Sequence, residues 1–281
     1  MSIKHSAFLV ETDWLEKNIS HPDLKVIDFH YNLDFKDTGE AIVSSGLPAW
    51  KEAHIPGSIY IDLLTELSDR STPIPFMMPP IEQFVDVMSR NGISQGKTVV
   101  IYDHGESMWA ARLWWMLRSN GFDDAVILNG GWEKWKKEGR ETTSITTPPV
   151  AGCFTANPRP ELIVDKDYVL NSIGGEQVRV CTLDREIFRQ GHIPKSINLE
   201  SMSLLHPESG EFLPEKDLER IVAAQGLSID DEIIVYCGGG ISASLSAFVL
   251  TMLGFKNVRL YDGSLEEWRA DPNLPLETIG N

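Results

Sequence analysis

The sequence predicts an α/β protein made of two copies of one domain, each a mainly parallel sheet flanked by helices. Three observations predict it. Short apolar runs of strand length alternate with longer helical stretches, as in chained βαβ units. The pattern occurs twice at steady separations: His54 and His192 lie 138 residues apart, Tyr102 and Tyr236 134, and Trp135 and Trp268 133. Constant offsets across several landmarks mark an internal duplication. Finally, 281 residues of which 42% are hydrophobic are enough for two cores of ordinary size.

The elements follow in order. Phe8-Leu9-Val10 reads as an opening strand, with Thr12 as N-cap of a short helix. Val26-Ile27-Asp28-Phe29 is a central strand, and residues 30–49 are expected to be irregular. Ala53-His54-Ile55-Pro56-Gly57 is a turn entering the strand that ends at Asp62; a proline-rich loop spans 68–80. A helix over 81–91 stops at Gly92, and Thr98 to Tyr102 is a strand. Residues 103–108 form a loop, Trp109 to Asn120 a helix, and Ala125 to Leu128 a strand leading through Gly130-Gly131 into another helix. The stretch 142–160, rich in Thr and Pro, reads as a linker between an N-terminal domain (1–141) and a C-terminal domain (161–281). Beyond it Gly191-His192-Ile193-Pro194 restates the turn at His54, a helix covers 215–225, and Ile233 to Tyr236 restates Val99 to Tyr102.

Charge and cysteine usage bound the function. With 25 basic and 41 acidic side chains, the net charge of −16 disfavours nucleic acid and anionic membranes as partners. No apolar run approaches the ~18 residues needed to cross a bilayer. Met1 to Ser6 lacks a signal-peptide core, so a cytoplasmic location is expected. Cys153, Cys181 and Cys237 are widely spaced, which disfavours a disulfide framework and a metal centre, and no cofactor is implied. Cys181 reads as a small core residue and Cys153 as incidental. Trp109, Trp114 and Trp115 read as core and interface, and His54 and His192 as residues that fix their turns through the backbone.

The stretch with chemistry is 233–244. A buried strand runs into Cys237, then Gly238-Gly239-Gly240, then Ile241-Ser242-Ala243-Ser244 opening a helix. Three glycines let the backbone curl and aim N–H groups inward, and the helix N-terminus adds further donors and partial positive charge. An anionic sulfur at Cys237 would be stabilised there. The first copy has Asp103 at this position, so a single active site is expected, in the second copy and at the seam between domains.

The two-copy layout, the His-Ile-Pro turns, the Asp262-Gly263-x-x-x-Glu267-Trp268 segment and the Cys237-Gly-x-Gly-x-Ser242 loop resemble the tandem-domain rhodanese sulfurtransferases, and more closely the 3-mercaptopyruvate sulfurtransferases. The resemblance runs from about Leu9 to Pro275. It implies two tandem rhodanese-like domains, the first inactive. It also implies transfer of a sulfane sulfur from 3-mercaptopyruvate or thiosulfate to a thiol or cyanide through a persulfide on Cys237. The loop from Gly238 to Ser242 would cradle that persulfide. A relay Asp in the N-terminal copy matches Asp62, and Arg70 stands where a relay His would align. The family's Asp-x-Arg clamp falls on Cys181 and Leu183, leaving Arg185 and Arg189 nearby as alternative grips. A persulfide carrier served by a protein partner, or passing sulfur to a protein thiol, is a second reading. A phosphatase on the same fold is a third, disfavoured because Ala243 stands where a Cys-x5-Arg loop needs arginine.

Overall fold

A computed structural model describes residues 7–36 and 41–280. The first copy comprises β1 (Leu9–Val10), α1 (Thr12–Asn18), β2 (Leu24–Asp28), β3 (Tyr31–Phe35), β4 (Ala41–Ser45), α2 (Leu47–Glu52), β5 (Ile59–Tyr60), α3 (Ile81–Arg90), β6 (Thr98–Tyr102), α4 (Met108–Ser119), β7 (Ala125–Leu128) and α5 (Gly131–Lys137). The second comprises β8 (Ile163–Val164), α6 (Lys166–Ser172), β9 (Val178–Cys181), α7 (Arg185–Gln190), β10 (Ile197–Asn198), α8 (Glu215–Ala224), β11 (Ile233–Tyr236), α9 (Ile241–Met252), β12 (Val258–Tyr261) and α10 (Ser264–Ala270).

Each copy holds a five-stranded parallel sheet, ordered β1-β7-β6-β2-β5 and β8-β12-β11-β9-β10. The two orders are the same once β1 is matched to β8, β6 to β11 and β2 to β9, so the duplication seen in the sequence is also one of topology. The central strands β6 and β11 are buried along their whole length, which explains their unbroken apolar runs. Registers correspond too: Asp28 pairs with Tyr102, and Cys181 with Tyr236.

Two expectations are corrected. Residues 30–49 are ordered: β3 and β4 pair antiparallel with Tyr31 opposite Ser45, and α2 follows. The alternation Tyr31-Asn32-Leu33-Asp34 is the period-2 pattern of such a strand. Thr12 does not cap α1; Glu11 holds that position, and the Thr12 hydroxyl donates to Glu138 instead.

The domains meet along α4 and α9. Both helices are apolar almost all round because both are buried almost all round. The Phe248 ring of α9 stands edge-on to Trp114 of α4 at 4.8 Å between centroids, and Phe8 packs on Phe248 at 5.9 Å. One hydrophobic cluster therefore runs through both copies. Residues 143–159 are strapped to the first copy: Gly152 N–H donates to Ser89 O (2.7 Å), Asn157 N–H to Asn120 O (2.8 Å), and Phe154 is buried against Phe84.

Phe248→Ala should remove the contact that joins the two cores. Chemical denaturation is expected to show a loss of about 3–5 kcal/mol; a loss below about 1 kcal/mol would mean that the seam adds little to stability.

Candidate active site

The first copy shows how the loop geometry treats an anion. Asp103, at the end of β6, is buried, and four backbone N–H groups converge on its carboxylate. Gly105 and Ser107 donate to Oδ1 at 3.1 and 2.9 Å, and Trp109 and Ala110 to Oδ2 at 3.2 and 3.1 Å. Burial pushes the Asp103 carboxyl above its ordinary range, against the opposing pull of these N–H groups. In the second copy Cys237 takes the same place, at the end of β11 and 2% exposed. The first copy's loop is one residue longer: Ser107 and Gly240 are the left-handed residues just before α4 and α9, so past them the step is 133 and the donors Ser107, Trp109 and Ala110 map onto Gly240, Ser242 and Ala243. Two of these, Gly240 and Ser242, lie in the loop read from the sequence. Ala243 was missed, because a donor in the first turn of a helix leaves no mark on side-chain type.

The Cys237 loop is clamped from behind by the start of α10. Leu265 N–H donates to Cys237 O (3.0 Å) and Glu266 N–H to Gly238 O (2.9 Å), so the loop carbonyls turn toward α10. Cys237 N–H donates to Ser264 Oγ at 3.0 Å. The glycines are not equivalent. Gly240 has φ +79, and a Cβ there would lie 2.9 Å from Asp262 O, so a side chain is both strained and crowded. A Cβ on Gly239 would meet the Phe76 ring at 3.1 Å, whereas one on Gly238 would meet nothing within 4 Å. The Ser242 hydroxyl lies 3.1 Å from Thr182 Oγ1, and Ser244 Oγ donates back to Gly240 O.

The first copy forms part of this site. Arg112 of α4 is fully buried and pairs with Asp262 of the second copy at 2.7 Å. The same guanidinium donates to Phe76 O (2.6 Å), and Met78 N–H donates to the other oxygen of Asp262 (2.7 Å). Phe76 has a left-handed backbone (φ 61) and presents its ring to Gly239. Arg112 and Phe76 were not singled out in the sequence. An arginine in the middle of a Trp-rich helix was the available signal for Arg112, since a charge there must find a partner.

The other expected site residues lie elsewhere. Asp62 organises its own turn, accepting from Leu64 N–H (2.8 Å), Thr65 N–H (3.1 Å) and Ser45 Oγ (2.8 Å). Arg70 is exposed, and the part of its segment that meets the loop is Phe76. Arg185 and Arg189 line a cavity of about 490 Å³ with Asn198, Glu200 and Ser203; none of the residues 237–242 lines it. Cys181 is fully buried and its thiol is pushed up to about 11 by that burial, so it stays protonated at neutral pH. His54 and His192 hold their turns, each with Nδ1 within 2.8 Å of the carbonyl four residues earlier. Ala243 is buried, so no guanidinium stands where a phosphatase loop would place one.

A cysteine at the end of a central strand, followed by a glycine loop and a helix N-terminus on a duplicated parallel α/β domain, defines a class of single-cysteine sulfur-handling folds. The profile of the Rhodanese-like domain matches residues 11–138 and 177–271, and the chain belongs to that family as a tandem-domain member. It is 31% identical to a 3-mercaptopyruvate sulfurtransferase of Escherichia coli over 98% of this chain and 99% of that one. It is likewise 31% identical to a thiosulfate sulfurtransferase of Corynebacterium glutamicum, over 99% and 92%. The crystal structure of SseA from Escherichia coli superposes with a TM-score of 0.83 at 30% identity, covering 92% of this chain and 99% of that one. An anaerobic ergothioneine biosynthesis enzyme of Chlorobium limicola shares the fold at TM-score 0.82 and 23% identity, over 97% and 70%.

Gly238→Ala and Gly240→Ala should part company. Thermal or chemical denaturation is expected to show under about 1 kcal/mol for the first and about 1–3 kcal/mol for the second, where an alanine must adopt a left-handed backbone. Arg112→Met should cost about 3–5 kcal/mol by stranding the Asp262 carboxylate; a neutral result would show that the pair does not join the domains.

Proposed function

We propose that this sulfurtransferase moves a sulfane sulfur from a small anionic donor, 3-mercaptopyruvate or thiosulfate, to a thiol or cyanide through a persulfide on Cys237. The observation that carries this reading is the Asp103 carboxylate in its ring of four N–H groups: the loop geometry accepts an anion, and the second copy puts sulfur there. In the first half-reaction the Cys237 thiolate attacks the donor's outer sulfur. The new S–S bond forms as the old bond to that sulfur breaks. Sulfite leaves from thiosulfate; from 3-mercaptopyruvate pyruvate leaves as its enolate and takes up a proton. The acceptor then attacks the outer sulfur of the persulfide, leaves as thiocyanate or as a new persulfide, and returns the Cys237 thiolate. Backbone donors stabilise the anionic sulfur in both states without titrating themselves.

The loop carries no cation of its own, so recognition of the donor's carboxylate or sulfonate falls to residues around it. Arg185 and Arg189, in a cavity with Asn198 and Ser203, are the donor grip we assign, with Arg70 as a further exposed cation. Gly238 to Ser242 form the persulfide loop, and Asp62, bound within its own turn, is left out of it. The separation of the arginine cavity from the Cys237 loop favours a second reading, a persulfide carrier exchanging sulfur with a protein thiol. A relative 30% identical over 98% of the chain is a sulfur carrier protein of Thermus thermophilus. Among the described residues no helix is long and apolar enough to cross a membrane, and all three cysteines are free, in accord with a cytoplasmic location.

Cys237→Ser should abolish sulfur transfer and leave circular dichroism unchanged; retained transfer would end the mechanism. Steady-state rates with 3-mercaptopyruvate and thiosulfate identify the donor, and negligible turnover of both would favour the carrier. Arg185→Ala and Arg189→Ala should each raise the donor KM several-fold at similar kcat. An unchanged KM would remove that arginine from the site.

A further inference from the structure

The first copy holds a polar cluster that sulfur transfer does not use. Asp28 ends β2, His30 follows two residues later, and His104 follows β6, so all three sit at the C-terminal ends of adjacent parallel strands. Ligands of α/β sheets gather there. The Asp28 carboxylate is 1% exposed. One of its oxygens lies 2.7 Å from His30 Nδ1. The other, Oδ2, has no hydrogen-bond partner, and neither has His104 Nε2, which faces it across 3.8 Å. That gap is too long for a hydrogen bond, and a buried carboxylate oxygen left unpaired is costly. The two imidazoles stack with centroids 3.3 Å apart, which brings a nitrogen of each ring and a carboxylate oxygen within 4.8 Å of one another.

We propose that Asp28, His30 and His104 bind a divalent transition-metal ion of the zinc type. A cation about 2.0–2.2 Å from each ligand would span the 3.8 Å between Asp28 Oδ2 and His104 Nε2 and satisfy both atoms. Two imidazoles and one carboxylate suit such an ion and leave coordination positions open. Binding displaces the proton shared by His30 Nδ1 and Asp28 Oδ1 to solvent and opens the stacked rings. An entry route exists: His30 and His104 line a pocket of about 270 Å³ whose other charged residues, Asp34, Asp103 and Glu106, are all acidic. The cluster is particular to the first copy. By strand register its counterparts in the second are Cys181, Leu183 and Gly238, which could not form it.

The test is titration of the untagged full-length chain with Co(II), read by its visible d–d absorption, and competition by Zn(II). A Cys153→Ser, Cys237→Ser background removes the exposed cysteine and the loop cysteine as ligands. One ion per chain is expected, with at least a tenfold loss of affinity in His104→Ala and in Asp28→Asn and none in the control His206→Ala. His104 is partly exposed, so His104→Ala decides the matter if Asp28→Asn fails to fold. Absence of a Co(II) spectrum, or affinity unchanged in His104→Ala, would overturn the proposal and leave the gap to a water molecule.

Discussion

The ion pair between Arg112 and Asp262 is the constraint on which the active-site loop depends. It buries a charge of one copy against a charge of the other. Burying both ions removes them from water, so the pair is no strong source of net stability, and its effect is to fix register. Arg112 holds the carbonyl of Phe76 as well as Asp262, and Asp262 in turn holds the N–H of Met78. Asp262 also closes on Gly240 from behind, through its carbonyl. Sliding α4 against α9 would disturb the crossing segment and the cysteine loop together. The shape of the site is therefore a property of the domain pair, although the reacting sulfur belongs to one domain.

The parts of this arrangement that were legible in the sequence are the local ones. Strands β6 and β11 announce themselves because a parallel strand buried on both faces must be apolar throughout. The Cys237 loop is legible because three glycines between strand and helix have few other uses. The repeat is legible because both copies kept their turn residues, His54 and His192 among them. What was not legible is who meets the loop from across the seam. Phe76 and Gly239 are far apart in the chain, and no periodicity relates them. Arg70 and Phe76 lie in one proline-rich segment; only its path decides which of them faces the sulfur. Arg185 and Arg189 could be read as cations near the second His-Ile-Pro turn, but the direction of a short helix decides which cavity they line. The β3–β4 pair had a visible alternation and was obscured by the glycines around it.

The two copies have diverged in opposite senses at matched positions. Where the second buries Cys181 in an apolar layer with Phe188 and Ile193, the first buries Asp28 beside two imidazoles. Where the second opens its loop with Gly238, the first places His104. One fold has thus been kept as a frame while the chemistry at the strand ends was redistributed, sulfur to one side and ionisable groups to the other. The acidic pocket of the first copy and the neutral loop of the second are separate environments within one continuous core.

Asp103 has a consequence of its own. Its carboxylate fills the ring of amides that Cys237 shares by descent, so the first copy is permanently self-liganded. With a carboxylate in place of a thiol, that position carries no sulfur. It also serves as an internal standard: in the same molecule, one strand end displays a carboxylate held by backbone donors where the other carries a thiol.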